Sequence, residues 1–402
     1  MANLTALRDH NAAAVLGRIR SAQLGGQEIS RVELAAATGL SAQAISKIVL
    51  RLGAEGLVTT AGLTASTGGK PRTLLRLVPT ARWVVGAQLH RDGATLLLVD
   101  LLGRVAAADT LPLAPEATPQ QALDLLAGRI RALLAAVPAE HVLGVGLACP
   151  GPLDQRTGVL HRVTGRPGWD GIAIGAELAA RLSDPPTGPT GPDAGPVVGP
   201  ADSAVAPTVN SAVVAVAVDK DTTAGVLSQP GSADRAFVYL DDGLGAGLVL
   251  GGRVQRGART NAGEFGHQVL DLAGPRCACG GRGCLEALCG AALRGQDPER
   301  AADLLGEGVA NLVRLLDLDE IVLGGRTVLA APDHYRSRVV AALRKRLPDP
   351  DWQRVTVSVV RAGEQAVALG AAGLVLGPLF GGDGGVGGAG GTLAEPPQRG
   401  GN

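Results

Sequence analysis

Four of the five cysteines in this 402-residue chain, Cys277, Cys279, Cys284 and Cys289, fall within thirteen residues, and His267 stands ten residues before the first of them. His267, Cys277, Cys279 and Cys284 supply one imidazole and three thiolates, the donor set of a closed tetrahedral zinc site. Gly280, Gly281 and Gly283 let the backbone wrap tightly enough to aim three sulfurs at one point. Four protein ligands leave no open position for a water, so the Zn2+ expected here is structural rather than hydrolytic. Cys289 lies outside this spacing and Cys149 is remote, and both are expected to be small core residues. Five cysteines do not make a disulfide framework in a chain of this length, and clustered thiols suit a reducing compartment.

A second constellation lies at the N-terminus. The whole chain holds 37 basic and 37 acidic residues, but residues 1–80 hold nine basic and four acidic ones. The neutral total excludes nucleic-acid or membrane binding through bulk charge. It conceals a basic head on an acidic body, the footprint of a local nucleic-acid contact. Three helices are expected in the head. The first spans 7–22, with Val15, Leu16 and Ile19 on one face. Ser30 caps a second, with Glu33 completing a capping box, and Gly39 ends it. Ser41 caps a third over 41–53, where Ile45, Val49 and Leu52 recur at helical spacing and face the core. Strands follow at 57–60 and 74–78. Two short helices joined by a four-residue turn suit a helix-turn-helix, whose second helix enters the major groove of double-stranded DNA. The hairpin would be a wing reaching phosphate or minor groove. The expected DNA contacts are Ser41, Gln43, Ser46, Lys47, Arg51, Lys70 and Arg72.

The elements that must carry the cysteine cluster alternate between strands and helices. Strands are expected at 84–89, 94–99 and 105–110, then a helix at 119–136 and a buried strand at 142–148. The pattern repeats with strands at 237–240, 247–250 and near 254, a helix at 300–316, a strand at 320–323, a helix at 334–346, a strand at 355–360 and a helix at 365–376. Two similar halves imply an internally duplicated α/β body. Residues 184–207 carry seven prolines and read as a linker-like insert, and 381–402 carry ten glycines and read as a disordered tail. Charges interrupt the N-terminal segment where a signal peptide needs an apolar core, and no apolar run approaches the ~20 residues that span a bilayer. The expectation is a cytoplasmic protein that does not bind membranes. Gly68–Pro71 fails as a P-loop and Gly243–Gly247 fails as a dinucleotide fingerprint, both on spacing.

Cys277–Glu286, CACGGRGCLE, resembles the CxCGxxGCxE signature of the ROK family, the group of repressors, open reading frames and sugar kinases. Asn261–His267 is similar to its preceding ExGH segment, Gly144–Asp154 to its GxxxPGP turn, Arg166–Ile172 to its sugar-side loop and Ile321–Gly325 to its adenosine-side strand. The head, with TGLSAQAISKIVLRLGAEGLV and a GGKPR wing, resembles the winged helix of the family's repressors. The resemblance implies an α/β chain: a winged helix-turn-helix over 1–80, and a two-lobed, actin-like ATPase (ribonuclease H-like) ROK domain over 81–380 that contains the insert. It implies sugar contacts at Asn210, Glu264, His267 and Glu286. It also implies a homodimer or homotetramer that regulates transcription of carbohydrate-metabolism genes, as a repressor, through a DNA operator and a sugar effector. The kinase machinery departs from the family pattern. Its DxGGT phosphate loop reads Gln88–Asp92 here, its Asn-Asp pair reads Asn210-Ser211, which lacks a general base, and Asp242 stands where Thr is preferred. The expectation is therefore a protein that is not an enzyme.

Overall fold

The computed structural model describes residues 4–63, 71–114, 116–163, 167–183, 214–229, 231, 233–349 and 352–382. The proline-rich insert, Lys70, Asn210, Ser211 and residues 383–402 of the glycine-rich tail lie outside them.

The head comprises α1 (Leu4–Leu24), β1 (Ile29–Ser30), α2 (Arg31–Thr38), α3 (Ala42–Ala54), β2 (Val58–Leu63) and β3 (Thr73–Leu77). Its sheet order is β1-β3-β2, antiparallel throughout. The caps read from sequence form as expected. Ser30 Oγ accepts from the Glu33 N–H while Glu33 accepts from the Ser30 N–H, and Gly39 closes α2 at φ 70°. Ser41 Oγ accepts from the Ala44 N–H. Ile45, Val49 and Leu52 are buried on one side of α3.

Two lobes follow. The first contains β4 (Trp83–His90), β5 (Gly93–Asp100), β6 (Val105–Pro112), α4 (Pro119–Leu134), β7 (Val142–Cys149), β8 (Leu153–Asp154), β9 (Val159–Leu160), α5 (Ile174–Ser183), β10 (Val216–Lys220) and α6 (Asp221–Leu227). The second contains β11 (Arg235–Leu240), β12 (Leu244–Leu250), β13 (Arg253–Val254), α7 (Leu285–Arg294), α8 (Pro298–Leu316), β14 (Glu320–Gly324), α9 (Arg326–Ala330), α10 (Pro332–Arg346), β15 (Thr356–Val359) and α11 (Ala366–Leu379). The main sheets run β10-β7-β4-β5-β6 and β13-β12-β11-β14-β15. Each is an antiparallel three-strand meander extended by two parallel strands. This shared order is the duplication that the sequence pattern implies.

Four helices, α5, α6, α7 and α9, are not expected from the periodicity of the sequence. In α6, DTTAGVL combines two threonines and a glycine, poor helix formers. Burial of every residue from Thr222 to Leu227 holds it in place instead. It follows the last strand of the first lobe but packs on β11 and β12 of the second, whereas α11 follows the second lobe and packs on β4 and β7 of the first. The two helices cross where Gly370 meets the Ala224 carbonyl, and Gly86 and Gly146 seat α11 against the sheet in the same way.

The head is built onto the first lobe through a shared apolar core. Leu34, Ile45, Leu52 and Leu77 belong to one cluster with Val84, Leu97, Val99, Ala368 and Leu376. At this seam Arg20 of α1 is 2% exposed, and its Nε donates to the Leu101 carbonyl at 2.9 Å. The guanidinium lies 4.7 Å from the centre of the Phe380 ring, just beyond α11. Burial lowers its pKa to about 10, against an opposing pull from Asp100.

Candidate functional site

The loop between His267 and α7 gathers the sulfurs. Cys277 N–H donates to the Gly281 carbonyl at 2.9 Å and Gly280 N–H to the Cys277 carbonyl at 3.0 Å, a tight turn with Gly280 at φ 95°. Gly283 sits at φ 63°, and a side chain there would collide with the Asp271 carbonyl. The ligand atoms of His267, Cys277, Cys279 and Cys284 all lie within 4.8 Å of one another. Cys279 Sγ is 3.7 Å from Cys284 Sγ, and Cys277 Sγ is 3.7 Å from His267 Nδ1. A tetrahedral ion with Zn–S near 2.3 Å sets its sulfur–sulfur edges at about 3.8 Å. The donor set and spacing therefore fit a zinc ion. Cys149 and Cys289 are fully buried and stand apart, as small core residues do.

The cluster of His267 and the three cysteines borders the cleft between the lobes. With Nδ1 turned toward Cys277, His267 directs Nε2 toward Glu264 Oε2 at 3.8 Å. Glu286 lies on the first turn of α7, two residues after Cys284, and its Oε2 accepts the Leu244 N–H at 2.9 Å. Three of the four expected sugar contacts, Glu264, His267 and Glu286, thus gather beside the sulfurs, while Asn210 lies outside the described residues. Two groups that the sequence reading missed join them. Lys220 Nζ, from β10, donates to the Ala262 carbonyl at 2.6 Å and to Glu264 Oε1 at 3.2 Å. Asp221 follows it, and its carboxyl is pushed up to about 6, first by burial and then by Glu264 and Asp241.

Asp221 corrects one step of the sequence argument. Position 211 supplies no acid, but β10 pairs with β7 in parallel and delivers Lys220 and Asp221 to the cleft. A carboxylic acid therefore stands at the end of this strand. The signal was present in the charge triplet Asp219-Lys220-Asp221, which abruptly ends an apolar run.

The opposite part of the cleft is bridged by ion pairs. Arg326, at the start of α9, reaches Asp241 at 2.8 Å and Asp242 at 3.2 Å in its own lobe, and Asp92 of the first lobe at 2.8 Å. The Arg326 guanidinium holds the Asp92 carboxyl down at about 2. Beside it, Gln88 Nε2 donates to Tyr239 Oη at 3.1 Å, and Tyr239 Oη donates to Asp241 at 3.0 Å. Gln88, Asp92, Tyr239, Asp241 and Arg326 line a cavity of about 320 Å³ that also touches Leu329 and Val367.

In the head, Ser41, Gln43, Ser46, Lys47, Arg51 and Arg72 are exposed. Ser46 Oγ donates to the Ala42 carbonyl, Arg51 lies 3.8 Å from Glu55, and Arg72 lies close enough to Glu33 to pull its carboxyl down, after the larger effect of the Ser30 hydrogen bonds. Among the described residues no helix is long and apolar enough to cross a membrane.

Residues 222–297 match the ROK family. The chain is 25% identical over 271 residues to the xylose repressor of Bacillus subtilis, an overlap of 65% of this chain and 62% of that protein. A solved ROK family transcriptional regulator, a homologue of the E. coli Mlc protein, superposes with a TM-score of 0.70 at 22% identity, covering 94% of this chain and 98% of that one. The ROK hexokinase of Thermus thermophilus superposes with a TM-score of 0.55 at 27% identity, covering 72% and 96%. The regulator's overlap extends through the head, while the hexokinase covers a length close to that of the two lobes.

Proposed function

We propose that this chain, which carries a ROK family domain, is a cytoplasmic DNA-binding transcriptional repressor of carbohydrate-metabolism genes, with residues 1–80 as its DNA-binding domain and 81–380 as a sugar-sensing domain. The observation that carries this reading is α3. Its apolar face is locked into a core shared with the body, and Gln43, Ser46 and Lys47 are left on its open face. Those three would read base edges, while Ser41, Arg51, Lys70 and Arg72 would hold phosphates. A homodimer or homotetramer would set two heads on a pseudo-palindromic operator. A structural zinc at His267, Cys277, Cys279 and Cys284 would fix the imidazole facing Glu264.

Signal transfer has a short physical route. Ala366 and Val367, at one end of α11, line the interlobe cavity. The other end of the helix leads to Phe380, under Arg20 of α1. Lobe movement around the effector would therefore tilt a single helix that is packed against the head.

Genomic footprinting should locate the operator. On it, Gln43→Ala and Lys47→Ala are each expected to cost about 1–3 kcal/mol and to relax sequence preference. Arg72→Ala should weaken all sequences alike and reduce the salt slope by about one. Unchanged affinity and preference in Gln43→Ala with Lys47→Ala would overturn the assignment.

One observation favours a second reading, an active carbohydrate kinase: Asp221 is an acid of raised pKa in the cleft, as a general base requires. Against it stand Asp92, Asp241 and Asp242, already bound to Arg326 where the family resemblance would put the phosphates of ATP. Backbone amides and cations, not carboxylates, cradle phosphate. No transfer from ATP to a hexose panel is expected at micromolar enzyme, and measurable turnover would restore the kinase.

A further inference from the structure

Among the polar residues on the open face of α3 stands one apolar side chain. Leu50 is 76% exposed, and among the described residues of the head no large apolar side chain is more so. A single leucine in water is common, so its position decides its meaning. Ile45, Val49 and Leu52 are buried on the core side of the helix, and Ile48 packs at the margin of that core. At about 3.6 residues per turn, the direction leading straight away from the core passes among Gln43, Lys47 and Leu50. Gln43 and Leu50 are one heptad apart and so lie within ~20° of each other around the helix, with Lys47 between them along its axis. All three are exposed. Beyond Leu50 the helix ends at Ala54 and is followed by the acidic Glu55, which lies 3.8 Å from Arg51. A carboxylate is repelled by the phosphates of DNA, so Leu50 is the last residue of this face that suits a base edge.

We propose that Leu50 reads the C5-methyl group of a thymine in the major groove and is a specificity-determining residue of the head. The inference rests on the DNA-binding role argued above. The thymine methyl is the apolar group that a base pair presents in the major groove, and an apolar side chain is its complement. Over a cytosine or adenine the same leucine would take water from an amino group and offer it no acceptor, so the contact also penalises the wrong base. Nucleic acid is favoured over an apolar protein surface as the occupant because Lys47 and Arg51 flank the leucine, in a segment that holds nine basic and four acidic residues. Gln43 matches the N6 and N7 edge of adenine, and Lys47 matches the O6 and N7 edge of guanine. A rise of about 1.5 Å per residue sets Leu50 about 10 Å beyond Gln43, which is about three base pairs. Each half-site should therefore hold an adenine and a thymine about three base pairs apart, with a guanine between them.

Deoxyuridine isolates the methyl group, because uracil keeps every hydrogen-bonding atom of thymine and lacks only that carbon. The full-length protein first selects its site from a duplex library of random sequence. The enriched duplex is then made again with its thymines replaced one at a time by deoxyuridine. At one thymine in each half-site the replacement should weaken binding about fourfold, the effect of one methyl group leaving an apolar contact. Leu50→Ala should bind the thymine and uracil duplexes alike, and Leu50→Met should keep most of the discrimination. Arg51→Ala, at a phosphate contact, should weaken both duplexes together and leave their ratio unchanged. An exposed leucine can be replaced without loss of the fold, so these variants report on DNA. An enriched site with no methyl-sensitive thymine, or a ratio that persists in Leu50→Ala, would overturn the inference and leave the DNA-binding role intact. A changed oligomeric state in Leu50→Ala with an unchanged ratio would assign the leucine to a protein contact and overturn the inference equally. Failure to enrich any sequence would overturn the DNA-binding role, and the inference with it.

Discussion

Gly370→Ala should destabilise the protein by about 3 kcal/mol or more, whereas Gly128→Ala should stabilise it by about 0.5–1 kcal/mol. Both glycines lie in helices, where alanine is the better helix former. The opposite signs come from tertiary surroundings. Gly128 is exposed in α4, and an added Cβ there meets nothing within 4 Å. Gly370 is in α11, where a Cβ would strike the Ala224 carbonyl of α6 and crowd the Ser228 nitrogen. Those atoms are backbone and cannot turn aside as a flexible side chain could. Overpacking of this kind costs typically about 1–3 kcal/mol, and more when the obstacle is rigid. The same crossing would transmit lobe movement, so a Gly370→Ala protein that still folds should also show a weakened response of DNA binding to effector. Denaturant melts of the two variants check the signs. A neutral Gly370→Ala would show that α6 and α11 are free to separate.

The architecture is legible in the sequence because it is periodic. Alternating apolar runs at 84–89, 94–99 and 142–148 become β4, β5 and β7, and the capping box at Ser30 is made by the same atoms that suggest it. The cluster of His267 with Cys277, Cys279 and Cys284 is legible for a different reason: its members come from a short stretch of chain, so their convergence needs no knowledge of the fold. The cleft groups were not legible. Lys220 is brought to Glu264, with Asp221 next to it, by the register of β10 on β7, a pairing of distant segments. Arg326 meets Asp92 across 234 residues, a pairing that no local spacing encodes. In α6 the local signal points away from helix, and burial overrides it.

Removal of zinc, by chelation or by Cys277→Ser, should lower effector affinity at least about tenfold while leaving most of the fold and operator binding in place. The reason lies in how the cysteine loop is tied to its surroundings. On one side, His267 closes a one-turn 3-10 helix that begins just after Glu264. On the other, Cys284 is the N-terminal cap of α7, whose first turn carries Glu286. An ion joining His267 and Cys284 would therefore fix the spacing of two expected ligand contacts that come from different elements, and would hold the imidazole in one orientation. Without it, Gly280, Gly281 and Gly283 leave the loop little stiffness of its own. The second lobe does not depend on the ion for its core, because Phe265, Leu285 and Cys289 pack with Leu305, Val309 and Val313 of α8 regardless of metal. This distinguishes the site from a zinc finger, in which metal binding and folding are one event. Metal analysis should find about one zinc per chain in the intact protein and none in Cys277→Ser. Circular dichroism should show the helix content retained, and calorimetry with a sugar that binds the intact protein should show the loss of affinity. Cys289→Ser supplies the control: its thiol is buried against the Ala301 carbonyl, outside the cluster, so it should keep both zinc and ligand. A zinc-free protein with undiminished affinity would separate the metal from the sensing site.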